Sequence, residues 1–142
     1  MASALFDPGR EGFLDGTIDW DTAVFKTALL RSYGFSAAHK FVSDVTGAGG
    51  VLHATSAAMS GISKANGIAD AADFTFTAPA ANASSHVLLL FQASAVTGGA
   101  DVAASAQRLV AYIHTGTGLP VVPNGADISV AWDNGANKIF KL

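Results

Sequence analysis

Along much of this chain, apolar and polar residues alternate with the period of two that belongs to strands. In "DFTFTA", residues 73–78, Phe74 and Phe76 fall on one side and Thr75 and Thr77 on the other. "RLVAYIHTG", residues 108–116, places Leu109, Ala111 and Ile113 on one predicted face, with Val110 and Tyr112 on the other. "TAVFKTALLRSY", residues 22–33, fits a helix or a strand, and its β-branched and aromatic residues favour the strand. "HVLLLFQA", residues 86–93, is apolar almost throughout, the pattern of a strand covered on both faces. "VLHATSAAMSG" and "ISKANGIADAADFTFTA" read as strands cut by Gly61 and Gly67. "HKFVSDV", residues 39–45, suits a short helical turn. "TGAGG", "APAANASS", "VTGGADVAASAQ" and "GLPVVPNGAD" read as loops and turns.

The chain ends on "DISVAWDNGANKIFKL", with no polar tail. Ile128, Val130 and Trp132 share one face of a strand, and Phe140 and Leu142 share one face of the next. A two-residue Asn134-Gly135 turn would send Phe140 and Leu142 to the polar side. A three-residue Asp133-Asn134-Gly135 loop, with Gly135 at a bulge, sets Ile128 against Phe140 and Asp127 against Lys141. The expectation is therefore a bulged hairpin whose last strand closes the core, burying Phe140 and Leu142.

Seven or eight short strands separated by Gly, Asn and Pro turns predict an all-β fold, a compact antiparallel β-sandwich or barrel. Residues 23–142 form this single β domain. Pro8, Gly9, Gly12 and Gly16 punctuate the opening segment at short intervals. Residues 1–22 are accordingly expected to be an extended or irregular N-terminal arm with room for one helical turn.

Composition changes the picture in one respect. Charged residues make up 13% of the chain and hydrophobic ones 50%, against about 25% charged in an ordinary domain. Such a surface suits contact with other protein better than isolation in water. The net charge of −3 and the scatter of Arg10, Arg31, Arg108 and the lysines offer no footprint for nucleic acid or an anionic membrane. No apolar run reaches the 18 or more residues of a membrane span. The opening "MASALFDPGREGF" lacks a basic region followed by an apolar stretch, so no secretory signal is expected.

Chemistry is scarce. The chain has no cysteine, which excludes disulfides and thiolate metal sites. His39, His53, His86 and His114 are not paired at metal-ligand spacing. Asp15, Asp19 and Asp21 lie close together in "LDGTIDWD" but lack the spacing of a calcium loop, which favours turn and cap chemistry. No serine sits in a nucleophile elbow, and the Gly-rich "TGAGG" and "TGTGLP" lack the Lys and Ser/Thr of a phosphate loop. Trp20 and Trp132 are isolated aromatics, of the kind found in cores and interfaces more often than under sugars. No catalytic constellation, cofactor site or metal site is expected.

Three stretches, "GREGFLDGTIDWDT" (residues 9–22), "AHKFVSDV" (38–45) and "RLVAYIHTGTGLPVVPNGADISVAWDNGANKIFKL" (108–142), resemble a family of small virion proteins encoded in tailed bacteriophage genomes. Nothing between residues 49 and 107 carries the likeness. The resemblance implies a non-enzymatic virion component, foremost a capsid decoration (cement) protein. It would bind the major capsid protein on the outer surface of the head, after assembly in the host cytoplasm. Such proteins commonly form homotrimers. The alternative is a tail- or fibre-associated protein that binds a host surface glycan. In the decoration reading the arm reaches neighbouring subunits, which nominates Phe6, Arg10, Phe13, Leu14, Ile18 and Trp20 as interface residues. The other reading of Phe13, Ile18 and Trp20 is that they pack on their own sheet.

Overall fold

The computed structural model describes residues 4–142. In chain order the elements are β1 (Ala4–Leu5), α1 (Asp7–Asp15), β2 (Val24–Arg31), α2 (Val42–Gly47), β3 (Val51–Thr55) and β4 (Ser63–Ala65). They continue with β5 (Ile68–Asp70), β6 (Phe74–Phe76), β7 (Val87–Ser94), β8 (Arg108–Ile113), β9 (Ile128–Val130) and β10 (Phe140–Lys141). The fold is mainly β. Ten antiparallel strands among the described residues make a five-stranded sheet in the order β1-β8-β7-β2-β3, a three-stranded sheet β10-β5-β4 and a pair β6-β9. No barrel closes, and the strands outnumber the seven or eight expected.

β7 lies at the centre of the large sheet, and Leu88 to Ser94 are buried, as an apolar run covered on both faces requires. On one face Phe25, Leu29, Leu88, Leu90 and Ile113 share a cluster with Phe76, Val130, Trp132, Ile139 and Phe140 of the small sheets and their flanks. On the other face Ala28, Leu30, Leu89, Phe91 and Leu109 pack with Phe6, Val42 and Val45. Each fully buried Leu or Phe contributes about 1.5–3 kcal/mol, so these two clusters hold the sheet between them.

A bulge corrects the expected faces of β8. Leu90 pairs with Ala111 and Phe91 with Leu109, so Val110 is the extra residue. Leu109 thereby joins Tyr112 on the Phe6 side, while Ala111 and Ile113 face the small sheets.

The C-terminal hairpin does not form. β9 pairs with β6, setting Val130 against Phe74 and Ile128 against Phe76. β10 pairs with β5, setting Phe140 against Ala69. Two carboxylates flank the β6–β9 ladder: Asp73 accepts the Trp132 N–H at 2.8 Å, and Asp127 accepts the Ala78 N–H at 2.8 Å. Lys138, at φ +48°, turns the chain away toward β5. The apolar face of β9 thus meets two phenylalanines, a better partner than the lone Phe140 of the hairpin. Phe140 is buried as expected, but Leu142 is 56% exposed.

The expected extended arm is not extended over its described part; residues 1–3 lie outside the described residues. β1 adds to the edge of β8, and residues 7–15 form α1. Pro8 lies in the first turn of α1, Asp7 complements the helix N-terminus, and Gly16, at φ +78°, caps the other end. Gly16 thus acts as the turn former expected, whereas Gly9 and Gly12 do something else here. A Cβ on Gly9 would lie 2.6 Å from the Leu109 carbonyl oxygen, and one on Gly12 would lie 2.7 Å from Ile18 Cδ1. The missing side chain of Gly9 lets the helix lie directly on β8, and that of Gly12 makes room for Ile18.

Candidate functional site

The opening segment is part of the core. Phe6 is fully buried and packs against Phe35 at 5.2 Å, while its N–H donates to the Val110 carbonyl. Ile18 and Trp20 are buried too. The Trp20 indole N–H donates to the Ser63 carbonyl at 2.9 Å, and its ring lies 4.5 Å from Phe25 and edge-on at 5.2 Å from Phe140. Phe13 is half-buried and touches Phe140 at 5.6 Å. Of the nominated interface residues, then, Phe6, Ile18 and Trp20 serve their own subunit in this conformation. Arg10 and Leu14 stand in solvent. Arg10 is paired with Asp7 one helical turn away, and Leu14 is 89% exposed.

α1, the β4–β5 turn and the C-terminal strand enclose a groove of about 540 Å³. Phe13, Ile18, Trp20, Ile68, Phe140 and Leu142 supply its apolar lining. Asn66, at φ +54°, and Gly67, at φ +76°, make the two-residue turn of the β4–β5 hairpin. That turn carries Lys64 and Ala65 to the rim. The structure thus joins three nominated residues to a set that sequence reasoning missed. Leu142 was expected to be buried in a hairpin, and nothing local in "SKANGIAD" points toward Phe13.

The polar groups around the groove are spent on local structure. Asp15 accepts the Thr17 hydroxyl at 2.6 Å and the Thr17 N–H at 2.9 Å, which holds its carboxyl below the usual range. Asp19 accepts the Asp21 N–H at 2.9 Å, and Asp21 pairs with Lys64. The acidic run performs the turn and cap chemistry expected of it. Among the described residues no group of three His, Cys, Asp or Glu stands together to hold a metal ion, and no helix is long and apolar enough to cross a membrane.

The remaining histidines divide into two places. His39 Nδ1 and the Tyr33 hydroxyl lie 2.8 Å apart, beside a row of rings in which Tyr112 stacks on both Phe35 and His114. Burial pushes the Tyr33 and Tyr112 hydroxyls above the usual phenol range. His53, on the edge strand β3, and His86 lie with their rings 4.7 Å apart and tilted at 59°. Trp132, like Trp20, is buried and offers no open ring face to a sugar. A second cavity, of about 230 Å³, lies between Leu29, Leu88 and the loop 116–121. What the first groove can do is accept apolar side chains, with the half-exposed Leu142 in its lining and the exposed Leu14 next to Phe13 in the chain.

Comparison of the chain with protein-family models, with curated proteins and with solved structures finds no match in any of the three.

Proposed function

We propose that the chain is a non-enzymatic structural protein that acts by docking onto other protein. Its place is the head of a tailed-phage virion, as a decoration protein bound to the outer surface of the major capsid protein shell. The observation that carries the docking part is the apolar groove of Phe13, Ile18, Trp20, Phe140 and Leu142. Leu142 in its lining is exposed, and so is Leu14 on α1, on a chain with few charges. The choice of partner rests on the resemblance to virion proteins.

The spatial arrangement of the resembling stretches supports that choice. In residues 9–22, α1 lies on β8 and Phe13, Ile18 and Trp20 line the groove, while residues 108–142 supply β8 and the groove residues Phe140 and Leu142. Residues 38–45 join them, because Phe41 bridges Arg108 and the Lys40 carbonyl accepts the Leu109 N–H at 2.9 Å. Stretches far apart in sequence thus meet around β8, with Ile18, Trp20 and Phe140 on one face of the large sheet and Val42 and Val45 on the other. In this reading the small sheets packed on the large one form a stiff, sandwich-like body that needs no arm to dock. Trimers at local three-fold positions multiply its contacts.

Quantitative mass spectrometry of purified particles, with labelled chain imaged on them, tests the proposal. Many copies spread over the head are expected, with rebinding to shells stripped of the chain. A few copies at the tail would place it with the glycan-binding alternative, and absence from the particle would overturn the virion reading altogether.

A further inference from the structure

We propose that His86, together with His53 and Arg31, is an acid-sensitive latch: it holds the loops 77–86 and 114–127 against each other and releases them when its ring takes up a proton. The inference stands apart from the virion reading and rests on the geometry around this one ring.

His86 immediately precedes β7 and is fully buried. Its backbone is the main tie between the two loops. The His86 N–H donates to the Val121 carbonyl at 2.7 Å, and the Val121 N–H donates back at 2.9 Å. The Asn82 N–H adds a third link to the Pro123 carbonyl at 3.0 Å. His53 on β3 ties the first loop down, with Nε2 at 2.7 Å from the Ala80 carbonyl.

The ring's protonation state follows from its partners. His86 Nδ1 lies 2.8 Å from the Ser84 carbonyl, which can only accept, so Nδ1 carries the hydrogen. In the neutral ring Nε2 is then a bare lone pair. It is buried and, among the described residues, has no hydrogen-bond donor. The Nε of Arg31, at the end of β2, is likewise buried with no partner among the described residues. The ring lies against His53 at 4.7 Å.

A proton on Nε2 makes that atom a second donor in a place with little to receive it. The Val121 carbonyl is close enough to favour the charged ring, but it already accepts the His86 N–H. The Ser84 carbonyl favours the charge as well. Burial opposes it most strongly, and His53 on β3 and Arg31 on β2 add repulsion. Of the charged groups that act on this ring, none is a carboxylate. The balance holds the closed form's ring below its ordinary value of about 6.5.

The sign is therefore fixed. The opened loops, with His86 in water, bind the proton more tightly than the closed ones. The closed form is fully favoured above pH about 6.5 and loses ground as pH falls toward the ring's closed-state value. One proton per opening gives up to about a tenfold rise in the open-to-closed ratio per pH unit across that window. Carboxylates titrate mostly below about pH 5, which leaves the window to histidine. Opening would also widen the second cavity, since Gly116 to Leu119 and Val121 line it together with Leu29, Leu88 and residues 128–131. Mild acid thereby exposes an apolar surface that neutral pH keeps covered.

Hydrogen exchange at pH 7.5 and 5.5, corrected for intrinsic rates, reads the latch directly. Protection in residues 77–86 and 114–124 is expected to fall several-fold to tenfold at the lower pH, while the centre of β7 keeps its protection. His86→Gln is expected to keep the fold and abolish the pH dependence of those loops. If the dependence survives in His86→Gln, the latch is wrong. The His86 ring signal of the wild-type protein, followed by NMR against pH, decides independently of whether the variant folds. Titration below 6.5 is expected, moving upward in His53→Gln, and titration at or above 6.5 would overturn the proposal.

Discussion

Phe140→Ala set beside Leu142→Ala measures what the C-terminal strand contributes. The Phe140 ring is 3% exposed and sits among Trp20, Phe13 and the backbone of β5. Truncating a buried Phe to Ala costs about 3–5 kcal/mol. The groove beside Phe140 gives water and neighbouring side chains access to the space left behind, so the lower end, roughly 3 kcal/mol, is expected here. For a chain of this size that lowers Tm by about 10 °C. Leu142 is more than half exposed, and its N–H donates to the Gly67 carbonyl at 2.9 Å through the backbone alone. Its side chain therefore contributes about 1 kcal/mol or less. Removing residues 140–142 takes away the ring, the Leu142 side chain and that hydrogen bond, roughly 5 kcal/mol in all. That reaches the lower bound of a typical domain's whole stability. Urea unfolding followed by circular dichroism, with equal m-values for the variants, supplies the numbers. Equal losses from the two single substitutions, or a Phe140→Ala midpoint within about 2 °C of wild type, would refute this account of the strand.

Further expectations follow from single positions. Gly9→Ala presses a methyl into the Leu109 carbonyl, a backbone atom that cannot yield, so α1 must lift from β8; thermal melts should show a loss of about 1–3 kcal/mol. Asp44→Ala strips the Phe41 and Lys40 N–H groups of their acceptor at the start of α2 and should cost about 1 kcal/mol at neutral pH. Those two bonds, Phe41 first, hold the Asp44 carboxyl below its usual range. Its contribution is therefore present above pH about 4 and lost as pH falls through the folded value, and the variant should show a shallower acid decline in urea midpoints. Leu14→Asp changes an almost fully exposed side chain, so Tm should move little while rebinding to stripped shells weakens by about ten- to a hundredfold. Undiminished rebinding would remove the α1 face from the docking surface.

The long strands were legible because they carry enough residues for the alternation to speak. β2 and β7, each eight residues, were read correctly, and so was the burial of β7 on both sides. β8 was found but its faces were partly inverted, since a bulge is one residue whose presence depends on the partner strand. The opening segment misled for a more specific reason. Glycine signals a turn when its φ is positive and a close approach when its side chain would collide, and the letters do not distinguish the two. For Gly9 the deciding atom is the Leu109 oxygen, a hundred positions away in the chain. The C-terminal hairpin failed in the same way. The register arithmetic was sound for a local pair, but β9 had a competitor in Phe74 and Phe76, whose alternation was visible and whose destination was not. The groove could not be read at all, because it is assembled from residues 13–20, 64–69 and the last strand.

If the chain docks onto a shell as proposed, folding the opening segment into the core changes how it would bind. An arm that orders on docking spends part of its contact energy on that ordering. Here Phe6, Ile18 and Trp20 are already in place, so docking carries little of that cost, but Phe6 is closed to a partner and Ile18 and Trp20 show it only the small part that lines the groove. What remains beside the groove is chiefly Leu14 and Leu142 with the part of Phe13 that is open. Covering two exposed leucines supplies about 3–5 kcal/mol, which does not offset the roughly 4–15 kcal/mol of lost translational and rotational freedom. A single copy should therefore bind a shell weakly. Three copies joined in a trimer lose that freedom once and contribute three such patches, so affinity should rise steeply with assembly. A variant held monomeric, with α1 and the groove untouched, should then fail to decorate shells at concentrations where the assembled protein saturates them. Equal binding by the monomer would mean that the principal contacts lie on a different face.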